Sequence, residues 1–200
     1  MKHSRSYQIR RLTAVALLSA LATALLYWEI FIPFVPSFLE YDFSDLPALI
    51  GAFAYGPVAG ILIELIKNLI HIPAGGSSGV GELANFLLGV AFVVPAGLVY
   101  HLRKDKIGAV SGAVSGTLIS ALIAFPVNFY ILIPFFAQLY MGGNMSVIVG
   151  MYSAICPAAD AVWKGILIFH VPLVFVKGCV NVLITFLIYK KISPLLHGKT

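Results

Sequence analysis

The sequence predicts an all-α integral membrane protein with six transmembrane helices and both termini in the cytoplasm. Of its 200 residues, 60% are hydrophobic and only 10% are charged, and the mean hydropathy is +0.97. Soluble domains average about 25% charged residues. Five apolar runs fill nearly the whole chain, each near or above the ~20 residues that a helix needs to cross a bilayer. They cover residues 12–34, 46–72, 80–102, 107–140 and 171–189. We therefore expect one membrane domain over residues 1–200, without a soluble domain.

The basic residues mark the cytoplasmic ends of the helices. A net charge of +5 could indicate nucleic-acid binding in a soluble protein. Here most of the cations lie beside apolar runs, which by the positive-inside rule places them in the cytoplasm. The flanking cations are Lys2, Arg5, Arg10, Arg11, Arg103, Lys104, Lys106, Lys190, Lys191 and Lys199. We therefore expect a lipid bilayer, and no nucleic acid, as their partner.

The second apolar run has to cross the membrane twice. If the amino terminus and the Arg103 loop both lie inside, an even number of helices must separate them. The first and third runs supply two, and Gly56-Pro57 near the middle of the second run offers a turn between two helices. Adding the last two runs gives six helices. The half over residues 46–55 is short for a full crossing.

Two rows of small residues indicate close helix packing, because such rows let helices approach each other in a membrane. The first helix carries Ala16, Ala20 and Ala24, and the fifth begins with Gly108, Gly112 and Gly116. The spacing alone favours internal packing of the bundle for both rows.

Loops are expected on the outer side over residues 33–45 and about 141–169. The first holds prolines, acids and aromatics; it either caps a cavity or is an ordinary solvated connection, and its charges favour the second reading. The long loop is too broken for a span, and we expect an interfacial or re-entrant helix there, with Trp163 at the interface. The fifth helix should reach the outer boundary near Asn128, after a bend at Pro126.

The second hairpin helix has one polar face. Glu64, Lys67, Asn68 and His71 are spaced by three, four and seven residues, which places them on one side of a helix. Ionisable groups at this depth are costly and usually face a protein interior or a wet cavity. This face is the first indication of a ligand site.

Other polar residues fall at a similar depth. The predicted topology places Lys67, Asn68, Glu82, Asn85, Asn128 and Lys177 in the outer half of the bundle, and Asn181 near its middle. Such groups either close a network, with Lys177 on a carboxylate such as Glu64 or Glu82, or line an outward pocket for a neutral solute that forms many hydrogen bonds. We favour the pocket. Glu82 either caps its helix or contacts the ligand.

Nothing in the sequence indicates catalysis or a metal site. It contains no HExxH, no GxGD aspartate pair and no P-loop, since the glycine-rich segment 73–81 lacks the Lys-Ser/Thr ending. His71, His101 and His170 stand alone, as do Cys156 and Cys179. We expect no catalytic residue, no metal and no cofactor, and read these histidines as interface residues.

Several segments together resemble a known family. They are the alanine row, YDFSDLPALIGAFAYGPVAG from Tyr41, IELIKNLIH from Ile63, GELANFLLG from Gly81, FPVNFYILIPF from Phe125 and VKGCVNVLITFLIYKKI from Val176. The chain resembles the S components of energy-coupling factor (ECF) vitamin transporters, and most closely their riboflavin-specific branch.

The resemblance implies a bacterial cell-membrane protein that captures riboflavin from outside and delivers it with a transmembrane scaffold subunit and two ATPases. The alanine row would then dock on the scaffold, and residues 33–45 would form a lid with Phe43 and Leu46 against the ring system. Candidates for hydrogen bonds to the ligand are Lys67, Asn85, Asn128, Lys177 and Asn181. The alternatives are an S component for thiamine or biotin, or a small membrane enzyme acting on lipid.

Overall fold

A computed structural model describes residues 2–28, 30, 32–36, 39 and 41–196, with side chains described for residues 8–28, 30, 32–36, 39 and 41–191. Parts of the predicted features lie outside this description. They are residues 37, 38 and 40 of the first outer loop, Lys199 at the predicted cytoplasmic end, and the side chains of Lys2 and Arg5.

The described residues form seven helical elements. These are α1 Lys2–Leu26, α2 Asp45–Tyr55, α3 Pro57–His71, α4 Val80–Leu102, α5 Lys106–Tyr140, α6 Met145–Ile155 and α7, which joins Val162–Gly165, Ile166–His170 and Val171–Leu196. Among the described residues, four helices (α1, α4, α5 and α7) contain stretches long and apolar enough to cross a membrane. Helices α2 and α3 are shorter, with 11 and 15 residues.

The second apolar run forms a helical hairpin, as the sequence predicts. Gly56 has φ 96°, a conformation that glycine adopts without steric cost, and Pro57 then begins α3. The chain reverses here, because Lys67 Nζ near the end of α3 lies 2.6 Å from Asp45 Oδ1 at the start of α2. The two short helices therefore lie antiparallel.

The bundle has two distinct ends. At the basic end, Asp105 caps α5 by accepting a hydrogen bond of 2.7 Å from the Gly108 N–H, and this bond and Arg103 hold the pKa of Asp105 below its usual value. Lys106 Nζ lies 3.6 Å from the centre of the Phe186 ring of α7. At the opposite end, which we call the cavity end, the last residue of α3, His71, meets Glu82 in the first turn of α4.

The two rows of small residues have different surroundings. A Cβ atom added at Gly112 would lie 2.5 Å from the Ala96 carbonyl oxygen, so the glycine row brings α5 against the backbone of α4, as predicted. The alanine row does not pack against another helix of the described bundle, because Ala16, Ala20 and Ala24 are all exposed. The prediction of internal packing is wrong for this row.

The buried side of α1 is formed by other residues. Ala22 is fully buried, and Ser19 and Thr23 are almost fully buried. The two hydroxyl groups donate hydrogen bonds of 2.8 Å to the carbonyls of Val15 and Ser19 within the helix. Because these internal bonds satisfy the hydroxyls, the polar residues can face the core and leave the alanines outside.

Helices α5 and α7 extend beyond the predicted boundaries. α5 continues past Asn128 to Tyr140, and α7 begins at Val162, inside the predicted loop over residues 141–169. Lys164 lies in this added part of α7, and its ammonium pairs with Asp160 at 2.6 Å, with both side chains exposed. Helix α6 occupies part of the same loop.

Helices α5 and α7 each contain one π turn, over Asn128–Leu132 in α5 and Ile166–His170 in α7. The closing N–H groups belong to Ile133 and Val171, and both residues stand directly before a proline. A proline ring collides with the carbonyl four residues earlier in an α-helix. A wider turn relieves this collision, which is consistent with a proline after both π turns, whereas Pro95 in α4 and Pro126 in α5 lie in regular α-helix.

Candidate functional site

A cavity of about 450 Å³ opens at the cavity end of the bundle, between α3, α4, α5 and α7 and under the segments that connect them. This volume is in the range of small-molecule sites. Its apolar lining residues include Leu26, Leu39, Leu88, Phe92, Leu132, Ile133, Phe136, Met141, Met151, Leu173 and Val174. Its polar lining residues include Asp42, Asp45, Asn68, His71, Ser77, Glu82, Asn85, Thr117, Ser120, Asn128, Tyr140, His170, Lys177 and Asn181.

The structure brings most of the predicted ligand residues to this cavity. The six that line it are Asn68, Glu82, Asn85, Asn128, Lys177 and Asn181. Phe43 and Leu46 are partly buried at the start of the α2 region and do not line the cavity. Lys67 is fully buried behind the wall.

The Lys67 ammonium is bound by protein groups. Its Nζ atom lies 2.6 Å from Asp45 Oδ1, 2.7 Å from Ser44 Oγ and 2.8 Å from Glu64 Oε2. Of the three N–H donors of the ammonium, two form hydrogen bonds with Ser44 and Asp45, and the contact with Glu64 is an ion pair. Lys67 therefore joins α2 to α3 and fixes Asp45 in the cavity wall.

Lys177 belongs both to a charge network and to the cavity wall, the two alternatives that the sequence left open. Its Nζ atom lies 3.0 Å from Asp42 Oδ2 and 2.9 Å from Asp45 Oδ2, so it closes a charge network with these aspartates rather than with Glu64 or Glu82. Its side chain still lines the cavity and is 17% exposed. Because an ammonium has three donors, a third N–H is available toward the cavity.

Glu82 belongs to a polar group in the cavity wall. Its Oε1 atom lies 3.0 Å from His71 Nδ1, and its Oε2 atom accepts a hydrogen bond from Ser77 Oγ. Tyr140 holds the adjacent glycine-rich segment, since its hydroxyl donates to the Gly76 carbonyl at 2.7 Å. The segment over residues 73–81 is thus tied to the end of α5, beside the cavity.

The π turns place Asn128 and His170 opposite each other. His170 Nδ1 lies 2.7 Å from Asn128 Oδ1, and His170 Nε2 lies 2.7 Å from the Tyr152 hydroxyl. All three side chains are buried, and both Asn128 and His170 line the cavity. The sequence reading of His170 as an isolated interface residue missed this contact; the signal available was the proline that follows each turn, in NFYILIP and ILIFHVP.

The polar groups that line the cavity include an unsatisfied acceptor on Asn68. Asn68 donates from Nδ2 to the Glu64 carbonyl at 2.8 Å, whereas its buried Oδ1 atom has no hydrogen-bond partner within the described chain. Ser120 donates to the Leu88 carbonyl at 3.0 Å. A cavity with an apolar wall and several amide groups suits a neutral ligand that has a flat apolar part and many hydrogen-bonding groups. The described residues contain no cluster of three or more His, Cys, Asp or Glu side chains fit to hold a metal ion.

Comparison with known proteins gives consistent matches over nearly the whole chain. The model of the family described as the substrate-specific component of ECF transporters matches residues 10–189. The riboflavin transporter RibU of Staphylococcus aureus is 30% identical over 193 residues, covering 94% of this chain and 93% of its own. The riboflavin transporter FmnP of Bacillus subtilis is 30% identical over 190 residues, covering 94% of each chain.

A solved structure shares the fold. It is described as the S component of a bacterial ECF transporter, and it superposes with a TM-score of 0.72 at 29% sequence identity. The match covers 94% of this chain and 98% of the solved chain.

Proposed function

Because this chain belongs to the family of substrate-specific components of ECF transporters, we propose that it binds riboflavin and serves as the S component of a riboflavin importer in the bacterial cell membrane. The observation that carries this function is a cavity of about 450 Å³ lined by amide and ammonium groups together with apolar side chains, in a chain 30% identical to riboflavin transporters over 94% of its length. The chain is a transport subunit and not an enzyme.

The chemistry of the cavity fits riboflavin. Its flat ring system has a polar edge, and its ribityl chain carries hydroxyl groups, so the ligand needs both an apolar surface and several donors and acceptors. We assign ligand contacts to the six predicted residues that line the cavity, Asn68, Glu82, Asn85, Asn128, Lys177 and Asn181. Lys67 supports the site by holding Asp45.

Residues 33–45 serve as a lid in this proposal. The described part of this segment is held near α2, where the Ile30 N–H donates a hydrogen bond of 2.7 Å to the Tyr41 carbonyl and the neighbouring Asp42 pairs with Lys177 of α7. Phe43 follows Asp42 directly, so a small shift of this anchored segment would bring Phe43 and Leu46 toward the ring system of a bound flavin.

In this proposal six helices cross the membrane, namely the four long helices α1, α4, α5 and α7 and the two hairpin helices α2 and α3. Both termini then lie in the cytoplasm. The support is the distribution of charge: Arg103, Lys104 and Lys106 lie at the end of the bundle opposite the cavity, as the positive-inside rule requires for a cavity that opens outward. The antiparallel hairpin of α2 and α3 gives the even number of crossings between α1 and the Arg103 loop.

The importer also needs subunits that this chain does not supply. The sequence has no P-loop, so we assign ATP hydrolysis to two partner ATPases and the coupling to a transmembrane scaffold subunit. The exposed row of Ala16, Ala20 and Ala24 on α1 is the proposed docking surface for the scaffold, because small side chains allow another helix to approach closely.

The visible absorption spectrum of the detergent-purified protein, followed by titration of riboflavin fluorescence, tests this function. We expect a copurified flavin band or saturable quenching, because an aromatic ligand in a cavity of this kind loses its fluorescence on stacking. A colourless protein that does not respond to riboflavin would contradict the proposal, and binding of thiamine or biotin in its place would redirect it to another vitamin.

A further inference from the structure

We propose that Tyr152 and His170 are positioning residues that fix the orientation of the Asn128 amide, so that Asn128 presents an N–H donor to an acceptor atom of the ligand. This inference rests on the function proposed above and concerns the same cavity. Tyr152 lies on the short helix α6 and does not line the cavity, and its hydroxyl contacts the cavity-lining His170.

The hydrogen bonds allow one assignment of the Asn128 amide. Its Nδ2 atom donates to the Ala124 carbonyl at 2.6 Å, and a carbonyl can only accept. The other amide atom, which lies 2.7 Å from His170 Nδ1, must therefore be the oxygen. It follows that His170 Nδ1 carries a hydrogen and donates it to Asn128 Oδ1.

The same reasoning continues to Tyr152. With its hydrogen on Nδ1, a neutral imidazole offers Nε2 as an acceptor. The Tyr152 hydroxyl lies 2.7 Å from that atom and donates to it. Both hydrogen bonds therefore run from donor to acceptor in the same direction. The Tyr152 hydroxyl donates to the imidazole, and the imidazole donates to the Asn128 oxygen.

The arrangement is enclosed and packed. Tyr152, His170 and Asn128 are 0%, 1% and 2% exposed, so water does not substitute freely for the protein partners. The Tyr152 ring stacks on Phe169, with ring centroids 5.7 Å apart and planes at 15°. Gly165 leaves room for the ring, since a Cβ atom there would lie 2.5 Å from Tyr152 Cε2.

This chain of bonds matters because an asparagine side chain otherwise rotates easily and exchanges its donor and acceptor. Rotation of Asn128 would place its oxygen against the Ala124 carbonyl and its NH₂ group against the His170 N–H. Both contacts are repulsive, and burial makes unsatisfied groups costly. The second N–H of Asn128, which Ala124 does not use, is thus held as a donor in the cavity wall and selects a ligand acceptor.

A double-mutant cycle on riboflavin binding tests this role. The Kd is measured by fluorescence titration for the wild type, Tyr152→Phe, Asn128→Ala and the double variant. We expect Tyr152→Phe to weaken binding by about twofold to tenfold, the range for one hydrogen bond. In the Asn128→Ala background it should cause no further loss, because Tyr152 acts through Asn128.

Two further variants separate positioning from packing. Tyr130→Phe removes a tyrosine hydroxyl that is 70% exposed on the same π turn as Asn128, and it should leave Kd unchanged. His170→Asn removes the Tyr152 acceptor while it retains a side-chain amide near Asn128, and the same cycle with Asn128→Ala replaces the first one if Tyr152→Phe does not fold.

Equal losses in the wild-type and Asn128→Ala backgrounds would overturn the inference, because they would show that Tyr152 stabilises the cavity by packing alone. That result leaves the proposed function intact, since the wild type still binds riboflavin. A wild-type protein that binds no riboflavin would overturn the proposed function and this inference with it.

Discussion

Lys177 and Asp42, separated by 135 positions in the sequence, meet at 3.0 Å beside the cavity. Asp42 belongs to the segment that precedes α2, and Lys177 belongs to α7. The pair therefore attaches the proposed lid to the opposite wall of the cavity. Lys177 also contacts Asp45, at 2.9 Å. One ammonium therefore partly neutralises the negative charge of two buried carboxylates.

Replacing Lys177 should affect both ligand binding and stability. Lys177→Met keeps the unbranched apolar part of the side chain but leaves Asp42 and Asp45 without their shared cation. We expect riboflavin affinity to fall by roughly 1–3 kcal/mol through the lost ligand hydrogen bond. Because the variant breaks a buried ion pair from one side, it should also lower the unfolding temperature. Fluorescence titration and thermal unfolding in detergent measure these effects.

Lys164→Met is the matched control. Lys164 also forms an ion pair with an aspartate, Asp160, at 2.6 Å, but both side chains are exposed. Exposed pairs contribute little, so this variant should match the wild type in both assays. Equal behaviour of the two methionine variants would contradict a special role for Lys177.

The lid attachment predicts a kinetic effect for Asp42→Asn. An asparagine oxygen can still accept the 2.7 Å hydrogen bond from the Ser44 N–H, so the variant mainly removes the charge that faces Lys177. We expect riboflavin to dissociate faster, with a smaller change in the association rate, because the lid opens more easily. Stopped-flow fluorescence measures both rates, and Asp160→Asn is the control. A slower association with unchanged dissociation would contradict the lid role.

The sequence predicted the polar side of α3 because a single periodicity determines it. Glu64, Lys67, Asn68 and His71 are all buried, as expected of costly groups on one helix face. The sequence could not separate those that line the cavity from those behind it. That distinction depends on Asp45 and Ser44 of another element, whose contacts with Lys67 span 22 and 23 positions.

Two features of the molecule could not be predicted from the sequence, for different reasons. The alanine row has a clear spacing, but spacing does not reveal whether a face meets the core or the outside. The buried face of α1 carries Ser19 and Thr23, whose hydroxyls bond within the helix. The pairing of Asn128 with His170 requires the two π turns in register across α5 and α7. Only the prolines after these turns gave a local sign of them.

The charge of the cavity wall predicts discrimination against the phosphorylated flavin FMN. Asp42, Asp45 and Glu82 line the cavity, while Lys177 is already paired with both aspartates. A phosphate group carries close to two negative charges at neutral pH. We expect FMN to bind roughly tenfold or more weakly than riboflavin, because repulsion between charges a few ångströms apart costs more than 1 kcal/mol at protein surfaces. Competition titration measures the ratio.

Glu82→Gln should narrow that ratio, since it removes one negative charge while keeping an oxygen that can accept from Ser77. The riboflavin affinity of the same variant is the internal reference. An unchanged ratio of FMN to riboflavin affinity would show that Glu82 does not contribute to the discrimination.

Packing between α4 and α5 depends on the glycine row. The variant Gly112→Ala would push a methyl group against the Ala96 carbonyl, with the added atom 2.5 Å from that oxygen. We expect a loss of about 1–3 kcal/mol in stability, as for other overpacked interiors. Gly150→Ala on α6 is the control, because a Cβ atom there meets nothing within 4 Å, and alanine is the better helix former. In thermal unfolding in detergent, Gly112→Ala should lower the unfolding temperature and Gly150→Ala should raise it.

The exposed alanine row predicts a separation of binding from transport. Ala20→Leu enlarges an outward-facing side chain on α1, away from the cavity, so riboflavin affinity should equal that of the wild type. Uptake by cells that carry the complete importer should fall strongly, because the larger side chain keeps the scaffold helix at a distance. Ser111→Leu makes a similar enlargement on the exposed side of α5 and should preserve both activities. Normal uptake with Ala20→Leu would place the docking surface elsewhere on the bundle, whereas loss of riboflavin binding would show that this face of α1 supports the cavity.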